Sequence, residues 1–412
     1  MTRPWTTRDA VVLAAGLLGG LVVRALLLPT PGLAGDMNEF GGWIHALATE
    51  PFGRAYDIDL TFPPVMVYIW GTLAAVEPAF RTVTDASDPG IRVLLKLPPT
   101  VADLGLAAGA AFALRARPSW ALVAALGLWL HPAVIDASAL FGQYESIYTL
   151  LALVAFLLAV ADRPALAAIA LALAIMTKPQ ALPLLVPFAA WYLARFGPLG
   201  TARFAAIGAA TIVVLWLPFL PEGGPAGYLR SLQLHQNELY GVLSLRAWNA
   251  WWIVQELGAG GSFVSDQTAV LGPLTWRHLG LGAAGLAELL VFACVLRAPT
   301  PRTLALGLAA SSLVAVMLLT TMHERYPYPA LVFLALLLPE PRIRALWIAF
   351  GVVFTLNLLA AVPPTDAIGS VLAVSGPLGI AGSLAMLAIT AGVVTELLRS
   401  TRPPTMQLDP TA

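Results

Sequence analysis

Four short segments of the sequence place charged and amide side chains beside long apolar runs. They are "GDMNEF" with Asp36 and Glu39, "FGQYES" with Gln143 and Glu145, "MTKPQ" with Lys178 and Gln180, and "MHERYP" with His323, Glu324, Arg325 and Tyr326. Carboxylates can remove a proton from a hydroxyl group, whereas lysine, arginine and protonated histidine can hold an anion. Together these segments offer a general base and an anion-binding group.

The two carboxylate segments each allow two interpretations. Asp36 and Glu39 lie three residues apart, so on a short helix both project to one face, where either can act as a base. A solvated loop leading into an acidic helix start has the same spacing. Gln143 and Glu145 begin an apolar helix after Gly142, where the helix dipole favours a carboxylate or a bound anion. A plain N-cap explains this second pair as well.

Lys178 stands where a short apolar helix must end, because Pro179 follows it. A lone lysine at such a turn calls for a compensating group, and a bound phosphate supplies one. The alternative is a lysine whose side chain extends to the lipid headgroups.

The segment "MHERYP" is not a H-E-x-x-H zinc motif, because Pro327 occupies the position of the second histidine. His323 and Arg325 can instead hold an anionic head group, with Glu324 orienting one of them. The alternative is an interfacial ion pair flanked by tyrosines of an aromatic belt.

Three further ionisable residues lie inside apolar runs. Arg24 either meets Asp36 or contacts a phosphate. Lys96 and Asp103, two helical turns apart, either pair with each other or face a cavity. The positions of these residues in the sequence do not distinguish between the two alternatives in either case.

Composition defines the class of protein. The 412 residues are 58% hydrophobic and 11% charged, with a mean hydropathy of +0.80, whereas soluble chains carry about 25% charged residues. The net charge of zero gives no basic surface for nucleic acid, and the single cysteine, Cys294, excludes an intrachain disulfide and a cysteine metal cluster. We therefore expect an all-α polytopic membrane protein.

Apolar windows predict membrane helices at 10–28, 93–114, 120–137, 146–160, 166–176, 181–193, 205–220, 279–296, 304–319, 330–338, 345–362 and 374–398. The window at 62–80 is ambiguous. If it lies along the membrane, within an external loop at 29–92, the short arginine-rich loops all fall in the cytoplasm. We therefore expect about 12 crossings in one integral membrane domain, 1–412, with a second external loop and interfacial helix at 221–278.

This topology places all four chemical segments on the external face. A transporter is expected to distribute polar groups near the middle of the membrane and on both sides. Clustering on one face is typical of an active site that opens outward.

In order along the chain, several segments resemble the GT-C superfamily of membrane glycosyltransferases, especially bacterial polyprenyl-phosphate mannosyltransferases and dolichyl-phosphate-glucose enzymes. They are "GDMNEFGGWIHAL", "AYDIDLTFPPVMVYIWG", "LLKLPPTVADL", "FGQYESIYTLL", "TKPQALPLL", "LSLRAWNAWW" and "HERYPYPALVFLAL". The similarity covers most of the chain. Two positions depart from the family pattern, since Glu145 stands where the family has Asp and Arg246 interrupts a motif that Asn249 matches.

The resemblance implies inverting transfer of a hexose, with mannose favoured, from a polyprenyl-phosphate donor to a glycan or glycolipid acceptor. It implies Asp36 as catalytic base, supported by Glu39, Gln143, Glu145 and Asn249. The candidate ligands of the donor phosphate are Lys178, His323, Arg325 and Arg24. We expect three further residues to support these ligands, namely Glu324, Tyr326 and Gln180. A metal is not required, although Asp36 with Glu39 could hold a divalent cation.

The expected setting is the extracytoplasmic face of a bacterial or archaeal plasma membrane, with a monomeric protein among membrane lipids. The alternatives are a transporter or flippase of lipid-linked sugars and a non-catalytic subunit of a cell-envelope assembly.

Overall fold

The computed structural model describes residues 6–401, and its regular structure is almost entirely helical. The α-helices are α1 (Thr7–Leu27), α2 (Ala34–Thr49), α3 (Pro64–Val76), α4 (Pro89–Ala113), α5 (Pro118–Trp129), α6 (Pro132–Ile135), α7 (Glu145–Val160), α8 (Pro164–Ile175), α9 (Leu185–Trp216), α10 (Gly224–Leu234), α11 (Ala250–Ala259), α12 (Trp276–Arg297), α13 (Pro301–Leu318), α14 (Tyr328–Ala335), α15 (Pro341–Ala361), α16 (Asp366–Val371) and α17 (Pro377–Arg399). Many begin at a proline, whose fixed φ suits a first helical position where no N–H donor is needed.

Other regular elements are short. Four strands form two small pairs: β1 (Ser244–Leu245) runs parallel to β4 (Met322–His323), and β2 (Ala269–Leu271) runs antiparallel to β3 (Leu274–Thr275). The 3₁₀ segments are Phe52–Arg54, Pro78–Arg81, Pro179–Leu184 and Leu217–Phe219, and the π-helical segments are Asp136–Leu140 and His235–Leu239.

Within residues 6–401, seven helical segments are long and apolar enough to cross a membrane. They are α1, α4, the segment Pro179–Phe219 that contains α9, α12, α13, α15 and α17. An eighth results if α5 and the segment Pro132–Leu140, bent by 45°, form one span. These helices support the all-α polytopic class.

The remaining predicted windows fall on shorter or bent helices. The windows at 181–193 and 205–220 both overlap α9, which is interrupted at Gly197, where φ is +66°, and Pro198. Helices α7, α8 and α14 have 16, 12 and 8 residues. A helix of 8 residues is only about 12 Å long, so α14 alone is shorter than a hydrocarbon core.

The window at 62–80 contains α3, which has 13 residues and packs against α2. Between them lies an aromatic core, in which Phe40, Trp43, Phe62 and Trp70 have ring centroids 5.1–5.9 Å apart. Trp70 Nε1 also donates a 3.1 Å hydrogen bond to the Tyr144 hydroxyl just before α7. Aromatic packing therefore fixes α2 relative to the start of α7.

A second and larger core surrounds α13 and α14, where every residue of α14 is buried. Trp248 and Trp252, from the predicted external loop 221–278, are also buried there, and Trp248 Nε1 donates to the Val374 carbonyl at 3.0 Å. These two rings thus pack against protein. The same core holds the chain on both sides of His323 to Arg325.

Candidate functional site

The four chemical segments meet at one cavity of about 870 Å³, part of which is open to solvent. Eight of the predicted site residues line it: Asp36, Glu39, Gln143, Lys178, Gln180, His323, Arg325 and Tyr326. Each lies at or beside a helix end.

Asp36 lies in the first turn of α2, and Gln143 Nε2 donates a 2.6 Å hydrogen bond to its Oδ2 atom. Among the described residues, no group donates a hydrogen bond to the other oxygen, Oδ1. Gly142 brings Gln143 into place with a φ of +83°, and a Cβ there would lie 2.4 Å from Met37 Sδ. Glycine is therefore required both by the backbone and by the space available.

Arg325 is the centre of the charged cluster. Its Nη1 donates to Glu324 Oε1 at 2.9 Å, its Nη2 lies 3.6 Å from Asp36 Oδ2, and its Nε lies 3.5 Å from Glu145 Oε1. Its side chain is only 8% exposed, so little solvent screens these interactions. Burial opposes the charged guanidinium, but the surrounding carboxylates raise its pKa above the ordinary value.

Glu145 begins α7 and is fully buried, and Lys178 Nζ donates a hydrogen bond to its Oε1 atom. Burial lowers the pKa of Lys178, while Glu145 opposes this shift. Within residues 6–401, Glu145 Oε2, Gln180 Oε1 and Arg325 Nε are buried without a hydrogen-bond partner. Because each such atom costs about 1–3 kcal/mol, the cluster is arranged to receive further polar groups.

His323 ends β4, and Arg325 Nη1 contacts its Nδ1 at 3.2 Å. For the guanidinium to donate here, Nδ1 must carry a lone pair, so the ring is neutral. Burial first and Arg325 second lower the pKa of His323. Burial acts to raise the pKa of Glu324, but Arg325 and His323 outweigh it and bring the value to about 2.

Glu39 faces the cavity from α2, one turn after Asp36. Partial burial and then the Asp36 carboxylate raise its pKa, so Glu39 takes up a proton more readily than an ordinary glutamate. The Arg325 cluster, as we call it, holds the four carboxylates of Asp36, Glu39, Glu145 and Glu324 and the cations Lys178 and Arg325. Uptake of a proton by Glu39 reduces the excess of negative charge in this cluster.

Sequence reasoning missed several residues of the cavity wall, namely Trp43, Phe62, Thr61, His235, Tyr240 and Thr321. Thr321 has a φ of +64°, which is rare for a β-branched residue. Its backbone N–H donates to the carbonyls of Val242 and Leu243, at 3.0 and 3.2 Å, and these bonds hold the strained turn. Such strain is typical of functional sites, but the sequence carries no signal for it.

Two predicted site residues lie away from the cavity. Arg24 pairs with Asp103 Oδ2 at 2.9 Å and donates to the Trp129 carbonyl at 2.8 Å, so it meets neither Asp36 nor the cavity. Asn249 caps α11, accepts from the Trp252 backbone and donates to the Val316 carbonyl. Both residues serve the packing of helices. Lys96 likewise does not pair with Asp103, since its ammonium donates to backbone carbonyls.

No group of three or more His, Cys, Asp or Glu side chains arranged to hold a metal ion occurs among the described residues. No family model matches the sequence, and no curated protein matches it. The geometry of the cavity therefore carries the argument about function.

Proposed function

We propose that this protein is an inverting membrane glycosyltransferase of the GT-C fold, with about 12 crossings, which transfers a hexose from a polyprenyl-phosphate donor to a glycan or glycolipid acceptor. The cavity that joins Asp36 to Lys178, His323 and Arg325 is the observation that carries the proposal. Mannose is the favoured sugar by resemblance. The reaction takes place on the extracytoplasmic face of a bacterial or archaeal plasma membrane.

Inversion requires a single displacement at the anomeric carbon. The acceptor hydroxyl attacks this carbon, its proton passes to Asp36, and the bond from the carbon to the phosphate oxygen breaks. Gln143 holds Oδ2 of Asp36 and leaves Oδ1 free for the hydroxyl group. Asp36 thus has the position and the free oxygen that a general base requires.

The departing group gains negative charge, because a phosphodiester monoanion becomes a polyprenyl phosphate monoester. Arg325 and Lys178 are fixed beside the cavity by buried carboxylates, so little rearrangement is needed when this charge develops. These cations therefore favour the transition state over the bound donor.

Donor binding also prepares the base. In the empty site Arg325 Nη2 lies 3.6 Å from Asp36 Oδ2 and shares the charge of this carboxylate. A phosphate group that attracts the guanidinium weakens this contact and frees the Asp36 carboxylate to accept a hydrogen bond from the acceptor hydroxyl. The base would then be fully active only when the donor is present.

Mass spectrometry of lipid that copurifies with the protein tests the proposal. We expect a polyprenyl phosphate that bears a hexose, and we expect radiolabelled sugar from that lipid to appear in a glycolipid product. A protein that only moves such lipids would retain the donor but form no product. That outcome would replace the transferase by a transporter.

A further inference from the structure

A second cavity, of about 820 Å³, lies beside the first, and it contains a buried carboxyl group that the proposed mechanism does not use. It is bounded by the end of α1, the π-helical segment Asp136–Leu140 and the chain after α15, and it is lined in part by Thr30, Leu140 and Phe141. Asp136 lines it with only 6% of its surface exposed. We call it the Asp136 cavity.

The Asp136 carboxylate has no hydrogen bond or ion pair with any side chain among the described residues. Its oxygens are not among the sealed polar atoms without a partner, and Asp136 lines the cavity, so a ligand with hydrogen-bond donors can reach them there. The π-helical turn places Asp136 there: the Phe141 N–H donates to the Asp136 carbonyl at 2.7 Å, which inserts one extra residue in the turn. Such turns occur frequently at functional sites.

The cavity wall supplies few donors of its own. Pro31, Pro363 and Pro364 line it, and proline has no backbone N–H. The nearby Lys96 ammonium already donates to the carbonyls of Thr30 and Leu140, at 2.8 and 2.9 Å. A ligand of this cavity must therefore bring its own hydrogen-bond donors.

Two kinds of ligand are rich in donors: ammonium cations and polyhydroxylated neutral groups. Lys96 places a positive charge beside the cavity, because the carbonyls that it contacts belong to Leu27, Thr30 and Leu140 of the cavity wall. This charge offsets that of the Asp136 carboxylate, so the cavity has little net charge to attract a second cation. The chemistry of the wall thus favours the hydroxyl groups of a sugar.

The two cavities share one partition. Phe141 lines the Asp136 cavity, and the Arg325 guanidinium, which lines the first cavity, lies over the Phe141 ring at 5.2 Å. Asp136 also experiences the negative charge of Glu324, which pairs with Arg325. A sugar held by Asp136 would therefore lie next to the residues assigned to the donor phosphate.

We propose that the Asp136 cavity binds a neutral sugar head group through hydrogen bonds to the Asp136 carboxylate. The binding of a sugar in this cavity does not depend on the proposed function. The assignment of that sugar to the acceptor does rest on it. The apolar walls of the cavity suit the non-polar faces of the ring, while Asp136 accepts from its hydroxyl groups.

The experiment measures binding of radiolabelled octyl α-mannopyranoside to the full-length protein in lipid nanodiscs prepared without glycoside detergents. Asp136→Asn keeps the shape of the side chain but removes its charge, and we expect binding about 10-fold weaker or more. Asp366→Asn is the matched control, since Asp366 is an exposed acid on the neighbouring α16 and does not line the cavity. It should bind like wild type.

A second variant, Pro364→Trp, covers the case in which Asp136→Asn does not fold. Pro364 is an exposed residue of the cavity wall, so a tryptophan there should fill the cavity without disturbing the core, and it should also abolish binding. Equal binding by wild type and a folded Pro364→Trp variant would overturn the inference. Binding of choline in place of the mannoside, lost in Asp136→Asn, would overturn it as well.

The transfer assay on the same samples separates the two proposals. Mannoside binding that depends on Asp136, with no transfer from any polyprenyl-phosphate sugar, would leave the sugar site standing and remove the transferase. If the protein transfers sugar, but Asp136→Asn and Pro364→Trp bind the mannoside as well as wild type does, the transferase stands and the sugar site is overturned.

Discussion

Two arginines are buried in the part of the chain that the structure describes, and their surroundings differ in one respect that separates structure from function. Arg24 pairs with one carboxylate, Asp103, through Nε and Nη2 at 3.2 and 2.9 Å, and its guanidinium stacks on Trp129 at 3.8 Å. Ser138 also donates to Asp103, at 2.6 Å. One cation meets one carboxylate there, and the carbonyls of Gly20 and Trp129 accept from the guanidinium.

Arg325 is different because three carboxylates lie near its single positive charge. Asp36, Glu145 and Glu324 all lie within 3.6 Å, yet the Nε atom of Arg325 makes no hydrogen bond within residues 6–401. Its side chain also lines a cavity, whereas Arg24 lines none of those described. A complete ion pair stabilises helix packing, and an incomplete cluster that opens on a cavity is suited to a ligand.

The largest expected effect is a loss of catalysis, and the substitution that should cause it is Asp36→Asn in the Arg325 cluster. The amide keeps the size of the side chain but accepts no proton, so we expect transfer of sugar to fall about 1,000-fold. The measurement is turnover with a polyprenyl-phosphate sugar in reconstituted vesicles. Donor binding and the melting temperature should stay close to wild type.

Asp59→Asn provides the control for Asp36→Asn, because Asp59 lies about half exposed outside the Arg325 cluster. Its turnover should be nearly unchanged. Wild-type turnover in Asp36→Asn would remove this residue from the mechanism and leave the cluster without its assigned base.

The second prediction compares the arginines directly through stability. Arg24→Gln leaves Asp103 buried without its cation, so the free energy of unfolding should fall by about 3 kcal/mol, as is usual when one partner of a buried pair is removed. The measurement is denaturant or thermal unfolding in detergent. Donor affinity of the folded fraction should not change, and a loss of affinity without a loss of stability would show that Arg24 contacts the donor after all.

Arg325→Gln should differ from Arg24→Gln in donor affinity. It removes the main cation facing the phosphate, so donor affinity of the folded fraction should fall about 10- to 100-fold. The melting temperature should fall as well, because Glu145 and Glu324 stay buried without this cation. Unchanged donor affinity in the folded fraction would make Arg325 a structural residue like Arg24.

The sequence predicted the members of the Arg325 cluster because each lies beside a glycine, a proline or an abrupt change in polarity that also marks a helix end. Asp36 follows Gly35, Gln143 follows Gly142 and Lys178 precedes Pro179. Loop parity then predicted that these helix ends lie on one side of the membrane. The local signals were enough to select residues that the structure brings to one cavity.

Long-range pairing was not predictable in the same way. Arg24 and Asp103 are separated by 79 residues, and only the packing of α1 against its neighbours brings them together. Asn249 matched a motif, yet its side chain caps α11 and ties it to α13. A short polar motif therefore identified residue types correctly but did not distinguish a helix cap from a ligand.

The smallest expected effect is a pH dependence of donor affinity, which tests whether donor binding changes the protonation of the Arg325 cluster. In the empty site, burial and Arg325 hold the pKa of His323 below its ordinary value, and the ring accepts from the guanidinium. A phosphate that recruits Arg325 removes both the donor and part of the repulsion, so the pKa of His323 rises on binding. Because the bound state then holds a proton that the free state lacks, donor affinity must fall as pH rises between the two pKa values.

We expect the dissociation constant of the donor to increase by at most about 10-fold per pH unit over this interval, since one group takes up one proton. His323→Gln should abolish the slope while retaining much of the affinity at high pH, where the wild-type ring is neutral in both states. A slope of the same size in His323→Gln would assign the proton to another group of the cluster, such as Glu39, whose pKa is already raised. Replacement of Arg24, which is sealed from the ligand, should leave the wild-type slope unchanged.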